Sequence, residues 1–119
     1  MENGTVQIGY KKYRVLLKKN PSAEIKGKKV ESYGTIEFGP QLIEIDSEST
    51  GVNQVRTLLH EIIHGIDDLL DIQLNEHKTD LLAVGFTMVL KDNPTLIKKL
   101  TDDLLDDANQ IQTTKSSEQ

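Results

Sequence analysis

The chain has 119 residues, of which 36% are hydrophobic and 28% charged, with fourteen Lys and Arg, nineteen Asp and Glu, and no Cys. That length suits one domain with a modest core, and the lack of cysteine excludes disulfide stapling, thiol catalysis and cysteine-ligated metal. Charge is lopsided, +6 over residues 1–30 and −11 over residues 31–119, and the net −5 argues against a dedicated nucleic-acid binder.

The first residues lack the basic and apolar regions of a signal peptide, and no apolar run approaches about 18 residues. A soluble, cytoplasmic protein with no membrane partner is the expectation. Residues 6–8 and 13–17 gather β-formers around Gly9 and predict a first hairpin. Lys11, Lys12, Arg14, Lys18 and Lys19, around Tyr10 and Tyr13, are then the solvated face and turn of that hairpin rather than a nucleic-acid footprint. Asn20-Pro21-Ser22 breaks it, and the lysine-rich stretch 22–31, with Gly27, reads as a loop or irregular connection. Two more strands are predicted at 34–38 and 42–46, joined by the turn chemistry of Gly39-Pro40. An exposed edge of such a sheet can pair with an extended peptide.

Past Ser49-Thr50-Gly51, the residues Val52, Val55, Leu58, Leu59, Ile62, Ile63, Ile66, Leu69 and Leu70 recur at helical spacing and predict a helix running to about residue 71. It carries His60-Glu61-Ile62-Ile63-His64. Positions i and i+4 share one helix face, so both imidazoles can reach a single tetrahedral Zn²⁺ at about 2.0–2.1 Å. Glu61 is offset around the helix, close to such an ion without ligating it, which suits a carboxylate that takes a proton from water there.

A catalytic zinc commonly has three protein ligands. Asp67 and Asp68 are too close to His64 along one helix for tetrahedral closure, although either can orient an imidazole. A turn at 71–74, with Asn75 as N-cap, returns a second, antiparallel helix (75–91) alongside His64. Glu76 and Asp80 lie four apart on it and face the same way. Glu76 is the expected third ligand, and Asp80 the carboxylate that accepts a ligand histidine's N–H. His77 competes for the ligand role but points about 100° away from Glu76, so only one of the two can face the metal. Leu81, Leu82, Val84, Gly85, Phe86, Met88, Val89 and Leu90 are expected to make the second helix the apolar heart of the domain, with Gly65 and Gly85 marking close helix approach. Asn93-Pro94 supplies a cap and first-turn pair for a third helix with Leu96, Ile97, Leu100, Leu104 and Leu105 on its packing face. Residues 1–111 are read as one domain and the polar residues 112–119 as a disordered tail.

Two segments, Leu58-Leu59-His60-Glu61-Ile62-Ile63-His64 and Glu76-x-x-Thr79-Asp80-x-Leu82-Ala83, resemble a gluzincin-type metallopeptidase and, within that group, a minimal member of the ImmA/IrrE family carried by phages and mobile elements. The strands at 34–38 and 42–46 look like the small sheet such proteins place over the metal, and the resemblance covers roughly residues 33 to 93. It implies an α+β fold: a small antiparallel sheet of hairpins, a zincin-like helix pair carrying the metal site, and a C-terminal helix. The activity implied is zinc-dependent hydrolysis of peptide bonds in a protein substrate such as a regulatory or repressor protein. No Tyr, His or Arg stands at a spacing that matches a transition-state donor. The alternative is a non-enzymatic zinc-binding protein of the same fold that engages a host or regulatory protein.

Overall fold

Tyr13 and Val15 alternate with Lys12 and Arg14, so a strand here buries one face and solvates the other. The structure, a computed structural model, describes the backbone of residues 1–25, 28–31 and 33–117 and the side chains of residues 1–21 and 33–106. It forms that strand as β2 (Lys11–Lys18), antiparallel to β1 (Gly4–Ile8). Gly9, at φ 59°, begins the two-residue loop between them, the glycine position of a type II′ hairpin turn. A second antiparallel hairpin joins β5 (Gly34–Glu37) to β6 (Leu42–Asp46). Its loop contains Gly39-Pro40 and ends on Gln41 at φ 57°, whose Oε1 accepts a hydrogen bond from the Lys12 amide.

Both predicted hairpins therefore form. Between them, β2 and β6 pair in parallel, with Val15 opposite Ile43 and Leu17 opposite Ile45, giving a mixed sheet of order β1-β2-β6-β5. The parallel β2–β6 contact corrects the expected all-antiparallel sheet, and the stretch read as an irregular connection forms an antiparallel pair, β3 (Ser22–Ile25) with β4 (Lys28–Glu31). The lysine-rich text concealed it, because the alternation of Ala23 and Ile25 with Ser22 and Glu24 is only four residues long and β4 contributes a single apolar residue, Val30. Gly27 lies outside the described residues.

Three helices follow: α1 (Gly51–Leu70), α2 (Glu76–Asp92) and α3 (Leu96–Ser117). Thr50 caps α1 by accepting from the Asn53 amide, and the buried Gln54 side chain donates to the carbonyls of Asp46 and Ser47, tying the start of α1 to the end of β6. Ile8, Tyr13, Val15, Ile43 and Ile45 form the core, and Leu58, Ile62, Ile66 and Leu69 of α1 pack against it. These four recur at three- and four-residue spacing, the stripe an amphipathic helix must cover. Gly65 lets α1 approach the sheet, since a Cβ there would come within 2.7 Å of Ile8 Cδ1. Among the described residues no such neighbour stands near Gly85, so of the two predicted glycines it is Gly65 that marks a close approach here, and its partner is the sheet.

The chain divides into two units, Met1–Thr87 and Met88–Gln119. In the first, Leu81, Leu82 and Phe86 are exposed, Phe86 at 52%. The apolar heart is thus the sheet and α1 rather than α2. In the second unit Met88, Val89, Ile97, Leu100, Leu104 and Leu105 are also exposed, and on the face of α3 expected to be packed Leu96 alone among the described residues is half-buried. Asn93 does not cap α3; its side chain donates to the Val89 carbonyl at the end of α2, and a turn bonded from the Leu96 amide to the Asn93 carbonyl separates the two helices. The α3 backbone is helical through Ser117. Among the described residues no helix is long and apolar enough to cross a membrane.

Gly34 sits at the start of β5, where a Cβ would run into the side chain of Thr57 on α1 and lie 3.1 Å from the Glu44 carbonyl oxygen. Thr57 is buried and the carbonyl is fixed backbone, so neither yields easily. Gly34→Ala is expected to destabilise the fold by about 1–3 kcal/mol, read as a lower urea midpoint with an unchanged slope.

Candidate metal centre

His60 and His64 stand on the face of α1 turned away from the Leu58–Ile62–Ile66 stripe, as four-residue spacing requires. Their Nε2 atoms are 3.1 Å apart, and the rings meet edge to face with centroids 4.8 Å apart. Glu76, the first residue of α2, extends its carboxylate across the gap. Oε1 is 2.6 Å from His60 Nε2 and Oε2 is 2.9 Å from His64 Nε2.

His60, His64 and Glu76 therefore offer three donor atoms within 4.8 Å of one another, a group able to hold a metal ion. The spacing fits one. Two ligand atoms at about 2.0–2.1 Å from a tetrahedral ion lie about 3.3 Å apart, close to the 3.1 Å between the two imidazole nitrogens. Asp80, one turn along α2 from Glu76, has Oδ1 3.5 Å from His60 Nδ1. It stands on the ring nitrogen opposite the one that faces Glu76, the place from which a carboxylate fixes a ligand imidazole's tautomer. His77 is exposed and lies outside the donor group.

The connection between the two helices sets Glu76 in place. Asp71 ends α1 in the left-handed region at φ 53°, and Gln73 turns again at φ 69°. The carboxylate of Asp67 accepts from the amides of both Gln73 (2.6 Å) and Leu74 (3.1 Å), and Asn75 caps α2 by accepting from the Lys78 amide at 2.8 Å. Asp67 thus holds the loop, and neighbouring Asp68 pairs with Lys11 at 3.1 Å. Of the two acids considered for orienting an imidazole, each has this other partner. Thr79 and Ala83, fully buried on α2, keep side chains on that helix small beside the site.

Glu61 is 5% exposed, and its Oε2 accepts no hydrogen bond among the described residues. Burial pushes its carboxyl up from 4.5 to about 7; the His60 ring opposes this and the Glu76 charge adds to it. A buried, unpaired carboxylate oxygen one residue from a metal-competent histidine is a costly arrangement, and a cation held nearby would favour its ionised form.

The donor group opens into a pocket of about 200 Å³ lined by Tyr33, Gly34, Arg56, Thr57, His60, Glu61, Glu76 and Asp80. Arg56, Tyr33 and Thr57 were not singled out by sequence reasoning as site residues. Arg56 was within reach of it: lying four residues before His60, it had to share that histidine's face. Tyr33 and Gly34 gave no signal, because only the register of β5 against β6 and α1 brings them to the pocket. No family model matches the chain, and no curated protein or solved structure matches it.

Two outcomes follow from this geometry. Asp67→Ala removes both amide partners from the loop and should destabilise the fold by about 1–2 kcal/mol while weakening metal binding through Glu76, measurable by denaturant melts and metal titration. For Glu61, a folded-state value of about 7 against an ordinary 4.5 means that the folded state holds the proton more tightly than the unfolded one. Metal-free protein therefore loses stability as pH rises from about 4.5 through 7, by roughly 3 kcal/mol in all. Metal-free Glu61→Gln should be more stable than wild type at pH 8, with the gap closing towards pH 4.5 in paired melts.

Proposed function

We propose that this protein is a zinc-dependent peptidase of the zincin type, resembling the ImmA/IrrE family, that hydrolyses peptide bonds in a protein substrate. The observation that carries this reading is Glu61: a buried carboxylate, unpaired at Oε2, beside a His-His-Glu donor group. A site built only for structure has no use for it.

His60, His64 and Glu76 would hold the ion, with Asp80 orienting His60. Two imidazoles and one carboxylate are a donor set of catalytic zinc, which keeps a position open; the ion would supply a Lewis acid that polarises the peptide carbonyl and acidifies water. Glu61 takes the proton from the attacking water as its oxygen bonds to the carbonyl carbon. As the C–N bond breaks, Glu61 returns that proton to the amine nitrogen. A cation held beside Glu61 would favour its carboxylate form, the form that takes the proton from the attacking water. The exposed side of the site, where the Glu76 side chain is 71% accessible, leaves room for an extended chain to approach.

Elemental analysis should find about one zinc per chain in wild type and its loss in His60→Ala and Glu76→Ala. Glu61→Gln should keep the zinc while hydrolysis of a casein or peptide-pool substrate falls about 10²-fold or more. Zinc retained without hydrolysis in wild type would favour a metal-bearing binding protein, and no metal after reconstitution would sink the reading.

A further inference from the structure

Among the described residues Arg56 is the one Lys or Arg side chain on the pocket wall, which it shares with Glu61, Glu76 and Asp80. It is half-buried, yet among the described residues it forms no ion pair or hydrogen bond. A guanidinium presents a planar fork of donors that matches a carboxylate's two oxygens, and this fork is unengaged at the mouth of the site. The acids beside it do not use it: Glu76 faces the histidines, and Asp80 faces His60.

Position decides what Arg56 can reach. The nitrogens of His60 and His64 converge midway between the two residues, about six residues along α1 from Arg56, or about 9 Å at 1.5 Å per residue. Helical side chains lean towards the N-terminus of their helix, so the Arg56 fork is placed to meet a substrate group displaced along α1 from the reacting carbonyl rather than the carbonyl oxygen itself. The separation corresponds to about two to three residues of extended chain at about 3.3 Å each, shortened by the reach of an acidic side chain. A pocket of about 200 Å³ is smaller than the roughly 300–1,000 Å³ of sites that enclose a whole ligand; it takes one side chain of a peptide rather than several.

We infer that Arg56 is a specificity-determining residue that binds a carboxylate of the substrate one or two residues from the bond to be cleaved, so that the protein selects acidic peptide segments. The inference rests on the peptidase reading above. The carboxylate belongs either to an internal Asp or Glu or to the C-terminus of the peptide; the chemistry recognised is the same.

The test is a cleavage profile of zinc-loaded protein on a mixture of synthetic decapeptides, prepared with free and with amidated C-termini and read by mass spectrometry. Wild type should cleave with about tenfold enrichment of bonds that have an acid within two residues. Enrichment that survives amidation assigns the carboxylate to an internal Asp or Glu; enrichment that disappears on amidation assigns it to the C-terminus. Arg56→Gln should lose the enrichment while still cleaving neutral peptides and keeping its zinc, Arg56→Lys should retain part of it, and Arg56→Glu should turn the preference towards Lys and Arg, a reversal that a merely structural residue would not produce. Cleavage by wild type with no acidic preference, or a preference unchanged in Arg56→Gln and Arg56→Glu, overturns the role of Arg56 alone. Absence of any cleavage above the Glu61→Gln control overturns the peptidase reading and this inference with it.

Discussion

Leu58, Ile62 and Ile66 seat α1 on the sheet, and Gly65 lets the helix backbone come close enough for Ile8 and Tyr13 to fill the space beneath it. Because a helix turns about 100° per residue, fixing that stripe against the core also fixes where every other residue of α1 points. His60 and His64 are carried, half-buried, to the side that meets Glu76, and Glu61 is left buried with no partner for Oε2 among the described residues. The same docking brings Arg56 and Thr57 beside the start of β5. One apolar contact surface thus determines the metal donors, the buried acid and the pocket wall together.

The second half of the donor set depends on a loop. Glu76 reaches both imidazoles because two left-handed residues, Asp71 and Gln73, reverse the chain within a few positions, and Asp67 satisfies the amides that the reversal would leave open. Backbone groups in such a turn need partners, and a carboxylate projecting from the last turns of α1 supplies two acceptor oxygens at once. Acids beyond the histidines that resemble spare ligands in the sequence are thus committed to the loop and, through Asp68 and Lys11, to the sheet.

The helix pair and its donors were legible in the sequence because each depends on short-range rules. Four-residue spacing put His60 beside His64 and Glu76 beside Asp80, and Asn75 announced the start of α2 through its capping chemistry. What depended on pairing between distant segments was not legible. The parallel contact of β2 with β6 has no local signature, and the β3–β4 ribbon offers only a four-residue alternation, with Ala23 and Ile25 apolar, inside lysine-rich text. Tyr33 could be placed at the pocket only once β5 was in register. Composition also misled: the Leu, Val, Met and Phe residues of α2 look like a core, but the sheet and α1 already enclose one, and α2 offers its small residues, Thr79 and Ala83, to the interior.

The parallel junction at the centre of the sheet bears on the order in which the molecule assembles. Each hairpin closes over a few residues, whereas joining them requires Arg14 to meet Leu42 across the intervening chain. Closing a long loop is slow relative to forming a hairpin, and α1 has its full apolar platform only after β2 and β6 have met. The donors on α1 and α2 meet across the short turn between the two helices, but that pair is seated only on the completed sheet. An ion held by the donors would bind the folded chain and not the unfolded one, so the stability of the whole sheet-and-helix assembly would rise with the concentration of free metal.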